Sequence, residues 1–316
     1  MQIITGQKLA EFHLDFFILG ASKSGKSALR TYLRTHPQIF MPDFEPNFYA
    51  DDMPEYRPDK RPKDRQAYRE IFTNAGDGQL LGEMSGLYLW SERAVPNILR
   101  DNPDTRFIVM LRNPIDQARS LHSFLVRQLY EDENSFQKAW ELQDARAAGK
   151  RMTATARRRL RHQPNLLLYR ERCSFASQME RLFRRVPREQ LLVHVFEEFF
   201  ADIKASYERT LVFLGLPTDS RTHFERIDEH AMPQSWLMQR LLYRKFPLKR
   251  IYHPLKRTLN AFRLRPGMAA VRSNVKEKKP VSLDPLFRQR LESEFQSEIG
   301  RLETVLGRDL DIWRSD

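Results

Sequence analysis

Lys23 and Lys26 stand in the turn Gly20-Ala21-Ser22-Lys23-Ser24-Gly25-Lys26-Ser27-Ala28, between the apolar run Phe16 to Leu19 and a stretch that places Leu29 and Leu33 on one helical face. Small residues let backbone N–H groups close on a ligand, ammonium groups add full charge, and a helix start favours negative charge. That is the chemistry of binding a phosphorylated ligand. The same letters fit the nucleotide pattern Gly-x4-Gly-Lys-Ser, which keeps an ATP-dependent P-loop kinase open. A second pair lies in Leu111-Arg112-Asn113-Pro114-Ile115-Asp116-Gln117-Ala118-Arg119-Ser120. An acid at that strand end would hold Mg²⁺, whereas an arginine there recognises phosphate. Arg112 and Ser120 are separated by one turn and a helix start, so both can face the crevice that the lysine turn faces.

Other groups carry weaker signals. Ser85, at a strand end, would line an acceptor or nucleotide pocket, or simply cap a turn. Glu83 and Glu197 would be metal acids in the kinase reading, or pair with basic neighbours. Cys173 has neither a cysteine partner nor a local base, so a structural role is expected.

The elements that position these groups alternate along the chain. Apolar runs predict strands over residues 16–19, 36–42, 80–84, 106–111 and 190–196. Helical spacing covers 26–35, 65–72, 92–100, 113–130, 135–149, 169–185, 203–214 and 284–306. Asn113 is an N-cap followed by Pro114 at the first helical position. Alternation of this kind predicts an α/β fold of three layers, a mainly parallel central sheet flanked by helices. The residues that follow Leu19, Met84, Leu111 and Phe196 should converge beyond the strand ends. One domain over 1–316 is expected, with a basic insertion at about 233–280 and a C-terminal helix at about 284–306.

Bulk composition narrows the partners. Lys and Arg number 53 against 41 Asp and Glu, a formal charge of +12, which predicts an anionic partner. Zinc-finger spacing and RNA-binding aromatic signatures are missing, so no nucleic acid is expected. No apolar run reaches the roughly 18–20 residues of a membrane span. Residues 1–14 lack a basic start and a long apolar centre, and one cysteine suits a reducing compartment, so a cytoplasmic location is expected. Between Glu229 and Glu277 no acid occurs, while ten basic residues from Arg240 to Arg272 alternate with Leu, Phe and Tyr. Residues 240–279 therefore read either as a solvated helix face or as a surface for anionic lipid or acidic glycan.

The two phosphate motifs in this order resemble those of the 3′-phosphoadenosine-5′-phosphosulfate (PAPS)-dependent sulfotransferases, in particular the bacterial and heparan-type branch. Ser22 to Leu29 is similar to their 5′-phosphosulfate loop, and Leu111-Arg112-Asn113-Pro114 with Ser120 to their 3′-phosphate motif. His36-Pro37, Glu45-Pro46-Asn47-Phe48-Tyr49, Gly82-Glu83-Met84-Ser85 with Tyr88-Leu89, Phe213 to Leu216 and the closing Leu302 to Trp313 follow in the family's order. The resemblance implies that PAPS is the co-substrate and PAP the product, with no metal. It implies Lys23 at the oxygen bridging phosphate and sulfate. Ser22, Ser24, Gly25, Lys26, Ser27 and Ala28 would surround the 5′-phosphate, and Arg112 and Ser120 would hold the 3′-phosphate. Arg272 falls where relatives carry a late nucleotide-covering loop. Glu45 matches the family's catalytic base and His122 is the fallback, both beside the acceptor. Lys26 stands where family loops carry Thr or Ser. The expected reaction is sulfuryl transfer to a hydroxyl of a carbohydrate, glycolipid or related small acceptor. The rivals are the kinase and a catalytically silent, membrane-surface binding protein of the same fold.

Overall fold

The computed structural model describes residues 12–53, 61–128, 130–152, 160, 164–225, 231–233, 275–277 and 283–314. Five strands form one parallel sheet: β1 (Phe16–Leu19), β2 (Ile39–Phe40), β3 (Leu80–Met84), β4 (Arg106–Leu111) and β5 (Leu191–Val195), in the order β2-β3-β1-β4-β5. Ile18 pairs with Met84 and Leu19 with Val109, which brings the carboxyl ends of β1, β3 and β4 to one edge. Side chains alternate between the faces. Phe17, Leu19, Phe107 and Val109 join a core with Trp140, Leu291 and Phe295. Phe16, Ile18, Ile108 and Met110 join another with Leu29, Leu33 and Leu211. Burial on both faces is why these strands read as unbroken apolar runs. Strand order reverses at β1, with β3 on one side and β4 on the other, and parallel sheets open a crevice at such a point.

The helices are α1 (Lys26–Leu33), α2 (Arg65–Glu70), α3 (Ala94–Asp101), α4 (Pro114–Arg127), α5 (Phe136–Glu141), α6 (Gln143–Ala147), α7 (Tyr169–Arg172), α8 (Phe175–Phe183), α9 (Phe196–Ala201), α10 (Ile203–Phe213) and α11 (Pro285–Leu306). Two expected helices are broken, over 135–149 and 169–185. At the second break the N–H of Ala176, in the first turn of α8, donates to Glu298 Oε1 on α11 at 2.6 Å. A carboxylate from a distant element thus satisfies a helix-start donor that local sequence leaves open. Phe196, expected in the fifth strand, instead begins α9. Along α11, Leu291, Phe295 and Leu302 are core as expected, but Leu286 is exposed because Phe287 takes the inward position.

A two-stranded antiparallel ribbon, β6 (Ala231–Pro233) and β7 (Val275–Glu277), pairs Pro233 with Val275 and lies beside α4. Arg272 and most of the expected basic insertion lie outside the described residues. Among the described residues, no helix is long and apolar enough to cross a membrane.

Strand β3 carries a fully buried carboxylate, Glu83. Oε1 accepts hydrogen bonds from Ser85 Oγ at 2.7 Å and Tyr88 Oη at 2.6 Å, and Oε2 accepts one from Tyr68 Oη. Burial raises its pKa from 4.5 to about 7, against the opposing pull of the three hydroxyls. The folded protein therefore holds this proton more tightly than the unfolded chain does. Stability from protonated Glu83 is complete below the unfolded value and is lost as pH rises through about 7. Relative to Glu83→Gln, the wild-type free energy of unfolding should fall by on the order of 3 kcal/mol between about pH 5 and pH 8. Parallel denaturant titrations across that range check this, and a constant difference would contradict it.

Candidate active site

The loop after β1 reverses the chain through three residues with positive φ: Gly20 at 131°, Lys23 at 76° and Gly25 at 88°. At Gly20 a Cβ would stand 2.3 Å from the carbonyl oxygen of Met110, so only glycine lets the loop leave β1 so close to β4. Side-chain donors then take three successive carbonyls. Ala21 O accepts from Lys26 Nζ at 2.6 Å and from Ser24 Oγ at 2.9 Å. Ser22 O accepts from Gln117 Nε2, and Lys23 O accepts from Arg112 Nη1 at 2.9 Å. In a trans peptide the N–H points opposite to the C=O. The N–H of Ser24 closes the turn on Ala21 O at 3.3 Å, while the amides of Ser22 and Lys23 are turned away from the groups that clamp the carbonyls before them. Helix α1 follows with Gly25 as N-cap, no side-chain cap and no acid in its first turn. Its positive end is suited to an anion.

Two side chains from the β4–α4 junction thus reach the loop. The Arg112 guanidinium also lies over the Phe196 ring, 4.2 Å from its centre, at the end of β4. One turn beyond Gln117 on α4 stands Ser120. It is only 6% exposed and its Oγ has no hydrogen-bond partner among the described residues. A buried hydroxyl without a partner costs free energy unless a ligand satisfies it. Asn113 caps α4 by accepting from Ile115 N at 3.0 Å, and its own N–H donates to Glu197 Oε1 at 3.1 Å. Glu197 Oε2 accepts from Trp313 Nε1 at 2.8 Å, so the chain's closing segment braces this corner.

Glu45 arrives from the opposite side. Its Oε2 accepts from the Gly86 N–H at 3.1 Å. A Cβ on Gly86 would lie 3.3 Å from Glu45 Oε2, 3.5 Å from Ser22 Oγ and 3.8 Å from Lys26 Nζ. The space beside this glycine is therefore bordered by a carboxylate, a hydroxyl and an ammonium. Loop 22–27, Arg112 and Glu45 share one region of the molecule.

Other expected site residues are placed elsewhere. Ser85 is buried between Glu83, to which it donates, and the N–H of Asn47, which donates to it at 3.1 Å. It supports the segment that carries Glu45 rather than lining an acceptor pocket. His122 is also buried, with Nε2 2.8 Å from the carbonyl of Glu133 and its ring against Phe136 and Tyr169. Burial lowers its pKa, and with Nε2 engaged by a backbone carbonyl inside this aromatic packing it is a structural residue rather than the fallback base. Glu83 accepts from hydroxyl donors, and Glu197 from the Asn113 and Trp313 N–H groups. Cys173 is buried and its thiol pKa is pushed up by that burial, as suits an inert core residue. Gln117, Gly86 and Phe196 escaped the sequence reading. For Gln117 the available signal was its spacing, one turn after Asn113 and one before Ser120.

The sequence matches no protein-family model and no curated protein. Among solved structures, the sulfotransferase from Alicyclobacillus acidocaldarius aligns over 96% of this chain and 100% of its own, with a TM-score of 0.69 and 23% identity. Mouse sulfotransferase SULT7A1 complexed with PAP aligns over 68% of this chain and 63% of its own, with a TM-score of 0.42 and 15% identity. The second is too distant to support an argument. The first establishes the architecture: this chain has the P-loop-type α/β fold of that bacterial sulfotransferase.

Proposed function

We propose that the chain is a sulfotransferase that moves the sulfuryl group of PAPS to a hydroxyl of a carbohydrate, glycolipid or related small acceptor, releasing PAP. The observation that carries this reading is the 2.9 Å hydrogen bond from Arg112 to the Lys23 carbonyl. It sets a guanidinium suited to one phosphate beside a loop suited to another. A nucleotide with phosphates at both its 5′ and 3′ positions needs two such anion sites side by side. The partnerless hydroxyl of Ser120 belongs to the second of them.

PAPS would supply the activated sulfuryl group, and the protein supplies charge and position. The amides of Ser22 and Lys23 and the start of α1 bind the 5′-phosphate, with Ser24, Gly25, Ser27 and Ala28 shaping the turn around it, and Arg112 with Ser120 binds the 3′-phosphate. Lys26, tied to Ala21 O, stiffens the loop and adds charge. Transfer is an in-line displacement in which negative charge grows on the leaving phosphate oxygen, by analogy with phosphoryl transfer. An ammonium on Lys23 at that oxygen stabilises the transition state more than the ground state. Glu45 takes the proton from the attacking hydroxyl. The basic stretch 240–279 is the candidate surface for an acidic glycan or anionic lipid. The kinase reading keeps the letter match over residues 20–27, but its two candidate metal acids, Glu83 and Glu197, are committed to internal donors.

Thermal-shift measurements separate these readings: PAP should raise the midpoint and Mg-ATP should not. Stabilisation by Mg-ATP alone would end the sulfotransferase reading. Lys23→Ala should abolish transfer of radiolabelled sulfate from PAPS into acceptors of a cell extract while leaving PAP binding nearly intact. Undiminished transfer would remove Lys23 from the chemistry. Ser120→Ala should weaken PAP binding about tenfold or more, the loss of one hydrogen bond to a charged group. The same change should leave the affinity for adenosine 5′-phosphosulfate, which lacks the 3′-phosphate, unaltered in calorimetry.

A further inference from the structure

Residues 45–49 form no regular element, and Asn47 holds a φ of 52°. Something must fix this segment if Glu45 is to meet an acceptor at one defined place. Two of its amides are anchored: Asn47 N–H donates to Ser85 Oγ at 3.1 Å, and Tyr49 N–H donates to Tyr88 Oη at 3.2 Å. Both hydroxyls donate their single protons to the same atom, Glu83 Oε1. A hydroxyl whose proton is committed in this way turns its lone pairs outward. Glu83 therefore sets the polarity that lets each hydroxyl receive an amide. A third tie runs through Tyr68, whose hydroxyl donates to Glu83 Oε2 and whose ring stacks on Phe48 with centroids 4.3 Å apart and planes 9° from parallel. Every tie from this carboxylate ends on Asn47, Phe48 or Tyr49. Beyond them, Glu45 is held at its own carboxylate by Gly86, the residue after Ser85.

We infer that Glu83 is a positioning residue for the acceptor base, holding Glu45 in the crevice through Ser85 and Tyr88 while touching neither donor nor acceptor itself. This rests on the reading of Glu45 as the base. It assigns a task to a carboxylate and two hydroxyls that the proposed chemistry leaves unused, and explains why three polar side chains sit together inside an apolar core.

The test follows turnover with radiolabelled PAPS and the acceptors of a cell extract, alongside PAP affinity by calorimetry in the same variants. Ser85→Ala removes one relay hydroxyl and Glu83→Leu removes the common acceptor. Each should lower kcat roughly tenfold to a hundredfold, as expected when a reacting group drifts by an ångström or less. PAP affinity should change far less than kcat, because the hydroxyls of Ser85 and Tyr88 bond the Asn47–Tyr49 segment and Glu83 rather than the 22–27 loop. Glu83→Gln keeps an oxygen at the Oε1 position and should stay within about threefold of wild-type kcat. In a Glu45→Gln background, Ser85→Ala should cost nothing further, since the group it positions is already gone. Wild-type turnover in Ser85→Ala would overturn the inference, as would an equal loss in both backgrounds or a loss confined to PAP affinity. Should Glu83→Leu fail to fold, Ser85→Ala and Tyr88→Phe carry the test. If Glu45→Gln itself is fully active, the base assignment falls and takes the positioning role with it. If Glu45→Gln is impaired and Ser85→Ala is not, only the positioning role falls.

Discussion

The direction in which three peptide groups face governs this molecule's candidate chemistry. A loop binds an anion through its N–H groups only if its carbonyls are satisfied on the other side. Here the carbonyls of Ala21, Ser22 and Lys23 are taken by Lys26 and Ser24, by Gln117, and by Arg112. Two of these donors come from the β4–α4 junction, so the loop's geometry is set by the element that would carry the second phosphate site. The two candidate anion sites are therefore one mechanical unit. Displacing α4 would both open the second site and release the loop.

Three carboxylates, two of them fully buried, serve the architecture. Glu83 organises three hydroxyls behind the Glu45 segment, and Glu197 joins Asn113 to Trp313. Glu131 accepts both terminal nitrogens of Arg146 at 2.7 Å, together with the hydroxyl of Tyr169. Each of these carboxylates is hydrogen-bonded at both oxygens, which is the condition under which burial is tolerated. Glu45 differs in lying half-buried beside the Ser22 hydroxyl and the Lys26 ammonium around Gly86. That contrast, more than its residue type, separates a carboxylate available for proton transfer from those that hold the fold.

Legibility from sequence followed the range of the interactions. Strands β1, β3 and β4 were readable because burial on both faces demands unbroken apolar runs. The start of α4 was readable because Asn113 and Pro114 are local signals. The break between α7 and α8 was not, since the donor at Ala176 is satisfied by Glu298, far along the chain. His122 and Ser85 misled for a similar reason. Both are polar and close in sequence to site residues, but a helix turns successive residues to different faces, and a strand end turns one side chain inward and the next outward.

What the sequence determined by itself was a Gly/Ser/Lys turn between strand and helix with the residue types of a phosphate site, an Arg-Asn-Pro motif opening α4, and an alternating α/β order. These are encoded in contiguous residue types whose backbone preferences and charges act locally. Tertiary structure alone decided that Arg112 and Gln117 clamp the loop, that Glu45 reaches the crevice at Gly86, and that Glu83 governs the segment bearing it. Those pairings join residues dozens of positions apart. They arise from the order β2-β3-β1-β4-β5, because a parallel sheet places neighbouring strand ends together in an order that no local run of residues contains.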